Sequence, residues 1–165
     1  MTSPPPPAID PKQFRQALGC FATGVTIVTT KSEGELYGMT VNSFTSVSLQ
    51  PPLMLVCLAN DARTTPAVQA RGWFAVNILQ EGQVELSNRF AQSEEDRFAG
   101  LKFSLDEYGL PILPGCIAHL VCRVYRIDPG GDHIIVLGEV VKAEFQEAAP
   151  LLFFRGGYAA IVPRT

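Results

Sequence analysis

Positive charge is scarce in this 165-residue chain: 13 Lys and Arg stand against 16 Asp and Glu, for a net charge of −3. A nucleic-acid binder needs a basic surface to displace counterions, so that class is excluded. Long hydrophobic runs are missing too, and none approaches the roughly 20 apolar residues of a spanning helix. Residues 1–10 carry neither the basic flank nor the apolar core of a secretory signal, so a cytoplasmic chain without membrane attachment is expected. Histidine occurs twice, and neither copy stands at ligand spacing from a cysteine or from the other, which argues against zinc and against catalysis by protein-bound metal. The four cysteines, at 20, 57, 116 and 122, form no CxxC pair and are expected as reduced, mostly buried thiols. No GxGxxG follows a strand pattern and no GxxxxGK[ST] occurs, so Rossmann and P-loop mechanisms lose support. A Ser-His-Asp arrangement is not evident either.

What is present is apolar material. At 47% hydrophobic and 18% charged, the chain can bury a proper core as one domain. Pro4 to Pro7 stiffen a leader, so residues 1–10 are expected to be a disordered tail and 11–165 the domain. Asp10 offers an N-cap with Pro11 behind it, and Phe14, Ala17, Leu18 and Phe21 recur at the spacing of one buried helical face. Strands are expected at 25–30, 36–49, 53–58, 73–79, 116–127 and 133–145, the last two joined by a hairpin turn at 128–132. Helical stretches are expected around Pro66, ended by Gly72, and around 84–98, where Ser93 and Asp96 resemble a capping box. Mostly hairpin-length links point to an antiparallel barrel with helical caps.

The run from Gly38 to Leu53 is the most informative. Six of the ten residues from Thr40 to Leu49 carry a hydroxyl or amide and none carries a charge. Between two apolar strands it reads as internal sheet, so its polar atoms need partners. Read as one strand, it places Thr40, Asn42, Ser46 and Ser48 on one side, interrupted by Phe44, with Met39, Val41, Val47 and Leu49 behind. A half-exposed Thr/Ser-rich strand and a row of ligand contacts are both consistent with that pattern. With metal, Rossmann loop and triad set aside, a neutral polar row plus scattered arginines suits a flavin: its ring wants neutral partners and its phosphate wants N–H groups or an arginine.

Several segments carry a resemblance: Ala22-Thr23-Gly24-Val25-Thr26, the run Gly38 to Ser48, Pro51-Pro52-Leu53, Phe74-Ala75-Val76-Asn77, Leu86-Ser87-Asn88-Arg89-Phe90-Ala91, Gly131-Asp132-His133 and Gly157-Tyr158. In order and spacing, over roughly residues 12–162, they resemble the flavin reductase-like family. The resemblance implies a mainly β fold, an antiparallel FMN-binding split barrel (Greek-key) with short capping helices. It implies an NAD(P)H-dependent flavin reductase that transfers hydride from nicotinamide to FMN or FAD and supplies reduced flavin to a partner monooxygenase, as a homodimer. A non-catalytic FMN-binding or electron-transfer protein on the same barrel is the alternative.

By resemblance, Met39, Thr40, Asn42 and Ser43 contact the ribityl and ring portions of the flavin, with Ser46, Val47 and Ser48 beside them. Cys57, Leu58 and Asn60 lie along the ring edge, Ala62, Arg63 and Thr64 near the phosphate, and Ser87, Arg89 and Phe90 at the phosphate or ribityl end. Members often have a Lys and a run of serines where this chain has Asn60-Asp61-Ala62-Arg63-Thr64, a departure at the phosphate. His133 matches the Gly-Asp-His motif and is placed as the catalytic residue against nicotinamide and flavin, while His119, inside an apolar strand, reads as structural. Asp132 either orients that imidazole or serves its own turn. Arg155 and Tyr158 either cover the nicotinamide or the outer face of the flavin, or are a surface arginine and a tyrosine that packs the tail onto the barrel.

Overall fold

The computed structural model describes residues 8–92 and 96–162, so the run Pro4 to Pro7 and Ser93 of the expected capping box lie outside the described residues. Asp10 caps α1 (Pro11–Leu18), its carboxylate accepting the Gln13 N–H at 3.1 Å with Pro11 in the first turn. Strands β1 (Thr23–Gly24), β2 (Thr26–Ser32), β3 (Glu35–Val41), β4 (Phe44–Leu49) and β5 (Pro52–Ala59) follow. Helix α2 (Thr64–Arg71) ends at Gly72, whose φ of 71° supplies the left-handed turn into β6 (Trp73–Ile78). Beyond α3 (Val84–Ala91) come the short hairpin β7 (Ser104–Leu105) and β8 (Pro111–Ile112), the long pair β9 (Ala118–Gly130) and β10 (His133–Phe145), and the closing hairpin β11 (Leu152–Phe154) and β12 (Gly157–Ala159). Among the described residues no helix is long and apolar enough to cross a membrane.

Seven strands form one antiparallel sheet in the order β3-β2-β6-β9-β10-β5-β4. Its two edges are consecutive in the chain, joined by Asn42 and Ser43 alone. The sheet therefore rolls into the expected split barrel, with its seam at that corner. The 36–49 run is thus not one internal strand: β3 pairs with β2, β4 pairs with β5, and both are edges. A register shift between Ser46 and Ser48 breaks the alternation again, so Thr40, Asn42, Ser46 and Ser48 do not share a continuous face.

Both faces of the barrel wall are covered. In β2, Val28 enters one apolar cluster with Val56, Leu58 and Phe74, while Ile27 enters another with Leu79, Phe90 and Leu113. That is why β2 is buried from Thr26 to Thr30, and its threonine hydroxyls all find carbonyls: Thr26 that of Val41 (2.8 Å), Thr29 that of Pro111 (2.6 Å), Thr30 that of Trp73 (2.8 Å). The helical face expected to be buried in α1 is not: no residue of α1 is buried, and Leu18 and Phe21 are 59% and 78% exposed. Of the cysteines, Cys116 and Cys122 are buried, Cys57 is half-buried and Cys20 is exposed, all four as free thiols. Burial pushes the Cys116 and Cys122 thiols up to about 11 and about 12.

Candidate functional site

A cleft of about 710 Å³ opens at the seam. Its floor is the Asn42-Ser43 corner with Phe44 and Leu55, and α1 and the β11–β12 hairpin wall it through Leu18 and Phe153. The volume lies in the range of small-molecule sites, roughly 300–1,000 Å³. Asn42 is exposed, and its amide has no partner among the described residues. Thr23, which also lines the cleft, keeps a buried hydroxyl without a hydrogen bond. Ser43 is committed to the fold: its hydroxyl donates to the Cys57 carbonyl (3.0 Å) and accepts the Cys57 N–H (3.1 Å), drawing the corner onto β5.

The other expected flavin contacts divide. Met39 packs against the barrel core, and the Thr40 hydroxyl donates to the Ser87 carbonyl at 2.7 Å. Ser46 and Val47 are exposed on the β4 edge, and Ser48 Oγ accepts the Gln50 N–H. Leu58 and Phe90, fully buried in the two clusters, do not offer side chains to the cleft; any contact from Leu58 is through its backbone. Ser87 is likewise buried, with its hydroxyl on Tyr158 rather than in the cleft. Arg89 is held by the Ala99 carbonyl.

A second groove centres on Gly38, lined by Arg63, Thr64 and Arg97 at the start of α2. Arg63 stands over the Tyr37 ring (6.0 Å) and within 3.8 Å of Glu35, and the hydrogen bond from the Tyr37 hydroxyl to Glu35 raises the phenol's pKa. Arg97 donates to the Gly38 carbonyl. No local pattern singled out Arg97, whose place is set by a backbone contact far along the chain.

Register locates His133. It pairs with Ala59, while Cys57 pairs with Ile135, so His133 lies about 7 Å along β10 from the residue that Ser43 clasps. Its Nδ1 is 2.7 Å from Asp132 Oδ1, and that hydrogen bond holds the Asp132 carboxyl below its ordinary range. The turn is secured to the 60s loop: Asn60 N–H and side chain donate to the Asp132 and Gly131 carbonyls at 3.0 and 3.1 Å. His119 is structural, its Nδ1 3.1 Å from the buried Asn77 amide oxygen, and burial lowers its pKa.

The C-terminal hairpin closes the other side. Tyr158 donates to Asn88 Oδ1 (2.7 Å) and accepts from Ser87 Oγ (2.9 Å), while Arg155 N–H donates to the Gly19 carbonyl (2.9 Å). So Tyr158 faces α3, whereas Arg155 stands over the end of α1 beside Arg15.

This donor set fits a flavin: a cleft with an unpartnered amide for ring carbonyls, apolar walls for its rings and Arg15 at its rim, and an arginine-lined groove at Gly38 for a phosphate. Comparison with known proteins agrees. Residues 18–162 match the family described as Flavin reductase like domain. The chain is 43% identical over 157 residues, covering 94% of it and 80% of its counterpart, to the reductase subunit HsaB of a flavin-dependent monooxygenase from Rhodococcus jostii (strain RHA1). It is 42% identical over 148 residues, 89% of it and 84% of its counterpart, to the FMN reductase (NADH) SmoA of Agrobacterium fabrum. In structure it superposes with a TM-score of 0.89 and 41% identity, covering 96% and 98% of the two chains, on the Streptomyces globisporus C-1027 NADH:FAD oxidoreductase SgcE6, solved with NAD and FAD fragments.

Proposed function

The chain belongs to the flavin reductase-like family, and on that premise we propose that it is an NAD(P)H:flavin oxidoreductase supplying reduced FMN or FAD to a partner monooxygenase. The observation that carries this reading is the cleft at the barrel seam, which joins apolar walls to an amide, Asn42, that the fold leaves unused. Bound flavin would supply the two-electron acceptor for the hydride of the dihydronicotinamide, which would leave as the oxidised nucleotide. The protein's tasks are holding and alignment, and no general base is required.

Asn42 binds the ring or ribityl chain through its amide. Phe44, Leu55 and Phe153 exclude water from the rings. Arg63 and Thr64 receive a phosphate at the Gly38 groove. His133, two residues along β10 from the partner of Cys57, is the group that stabilises negative charge developing on the reduced ring, with Asp132 fixing its orientation through Nδ1.

The reading extends to assembly and place. Exposed Leu18 and Phe21 border the cleft and Leu49 on the β4 edge is 91% exposed, an apolar surface that a second copy of the chain would cover, making a homodimer. Four unpaired thiols suit a reducing cytoplasm. Anaerobic mixing of the protein with FMN or FAD and with NADH or NADPH tests the activity. Loss of the flavin's visible absorption supports it, and absorption that persists with every pair leaves the non-catalytic flavin binder in its place. Sedimentation equilibrium tests the dimer.

A further inference from the structure

We propose that Arg15 and Arg155 together seat the pyrophosphate of the pyridine nucleotide, an inference that rests on the reductase reading above. The two side chains line a cavity of about 550 Å³ with Gln16, Gly19, Cys20 and Gly156, and among the described residues no acidic one lines it. Neither guanidinium has a carboxylate partner among the described residues. Arg155 contacts the Cys20 thiol at 3.9 Å and the Phe154 ring at 5.2 Å, and neither contact neutralises it. Two unneutralised guanidiniums on one cavity repel each other and attract a doubly charged anion, and phosphate oxygens match the guanidinium fork.

The site is built rather than incidental. Arg15 lies in the last turn of α1, where the Gly19 N–H returns to its carbonyl at 2.9 Å, and the Gly19 carbonyl accepts the Arg155 N–H at 2.9 Å. A Cβ at Gly19 would sit 3.2 Å from the Arg15 carbonyl oxygen and 3.4 Å from Arg155 Cα, so a glycine permits this approach. Arg155 itself has φ 49° and is followed by Gly156 at 82°. A two-residue hairpin turn with both φ positive asks for Asn or Gly at its first place, and an arginine held there is strained. Such strain collects where a side chain has a task.

Position selects the ligand. The cavity shares Arg15, Gly19 and Gly156 with the flavin cleft, so an anion seated there lies next to the flavin rings. The arginine-lined groove at Gly38 is four residues along β3 and its end from Asn42, about 13 Å. Two phosphate-bearing substrates must meet over one ring system; among the described residues arginines line cavities at Arg15 and Arg155, at Gly38, and at Arg89 with Lys102 and Glu85, and of these the one at Arg15 and Arg155 shares its lining with the cleft. The flavin phosphate takes the Gly38 groove and the dinucleotide takes Arg15 and Arg155. Arg155 thereby serves the phosphates rather than the nicotinamide ring, one of the roles its sequence left open.

Calorimetric titration of the flavin-free protein with NAD⁺ tests this without turnover. Arg15→Gln and Arg155→Gln should each weaken binding at least about tenfold, the loss of a charge-assisted bond, while Lys12→Gln on the same helix should stay within about twofold. In steady state, the preference for NADH over the phosphate-free donor N-benzyl-dihydronicotinamide, as a ratio of kcat/KM, should collapse in both arginine variants by a similar factor. NAD⁺ binding unchanged in both variants, absent from the wild type, or equally weakened by Lys12→Gln overturns the seat, as does a loss of FMN affinity in place of NAD⁺ affinity. A wild-type protein that reduces flavin with neither donor overturns the reductase reading instead.

Discussion

Replacing Asn42 by alanine should separate binding from folding. The Asn42 amide is exposed and makes no hydrogen bond within the described chain, so its removal strands no buried group and should change stability by no more than about 0.5 kcal/mol. If that amide pairs with the flavin, its loss costs about 1–3 kcal/mol of binding, or about 5- to 150-fold in Kd. Ser43, the next residue, predicts the reverse. Its hydroxyl makes two hydrogen bonds to the Cys57 backbone, at 3.0 and 3.1 Å, so Ser43→Ala should cost about 1–2 kcal/mol of stability. Quenching of flavin fluorescence on titration with FMN and FAD gives the affinities, and urea unfolding gives the stabilities. Asn42→Ala with wild-type titration curves, or with a stability loss as large as that of Ser43→Ala, would refute the assignment of the corner.

Three further outcomes are expected. His133→Ala should slow anaerobic flavin reduction in stopped flow by at least about tenfold while flavin affinity holds, and wild-type rates would remove His133 from the chemistry. His119 is half-buried and its pKa is lowered by desolvation, so the unfolded chain takes up its proton at about 6.5 while the folded chain still resists it; stability should therefore fall as pH drops below about 6.5, down to the lowered value. Urea midpoints at about pH 7.5 and about pH 5.5 should show that loss in the wild type and less of it in His119→Gln. Arg155→Asn should raise the melting temperature, because asparagine accepts the left-handed turn that costs arginine about 1 kcal/mol, while raising KM for NADH; a lowered melting temperature would show that φ of 49° carries no strain.

Much of the scaffold was legible because its signals are local. Asp10 with Pro11, Gly72 after α2 and the Gly-rich turn before His133 each fix a boundary through their own backbone preferences. The corner inside 36–49 was not legible, since neither Asn42 nor Ser43 forbids a strand and neither Gly nor Pro marks the break. Barrel closure makes it: β3 must stay on β2 while β4 crosses to β5, and the Ser43 clasp on Cys57 is a long-range contact. Periodicity gives α1 an apolar face but cannot say what covers it, so the expectation that this face is buried fails within the single chain. Ser87 and Phe90 came from resemblance and proved to be interior, because α3 turns that face to the β3 wall. No local pattern marks Arg15, whose place in the proposed seat depends on Arg155 at the far end of the chain.

The same corner explains why an uncharged run makes a site. Each edge strand of a sheet leaves a row of backbone donors and acceptors, and proteins ordinarily blunt such edges with lysine, charge or proline. Here β4 carries no charge from Phe44 to Leu49, and Leu49 is nearly fully exposed. An edge so undefended is tolerable only if something covers it in the working state. At the inner end of the seam the cover must hydrogen-bond without charge, which is what Asn42 and the occluded Thr23 hydroxyl demand of a flavin ring. At the outer end it must be apolar, which suits a second subunit better than a nucleotide. On the proposed reading the neutral hydroxyl-rich sequence and the open seam are one adaptation: closing the barrel with paired strands would satisfy the edges and abolish the cleft.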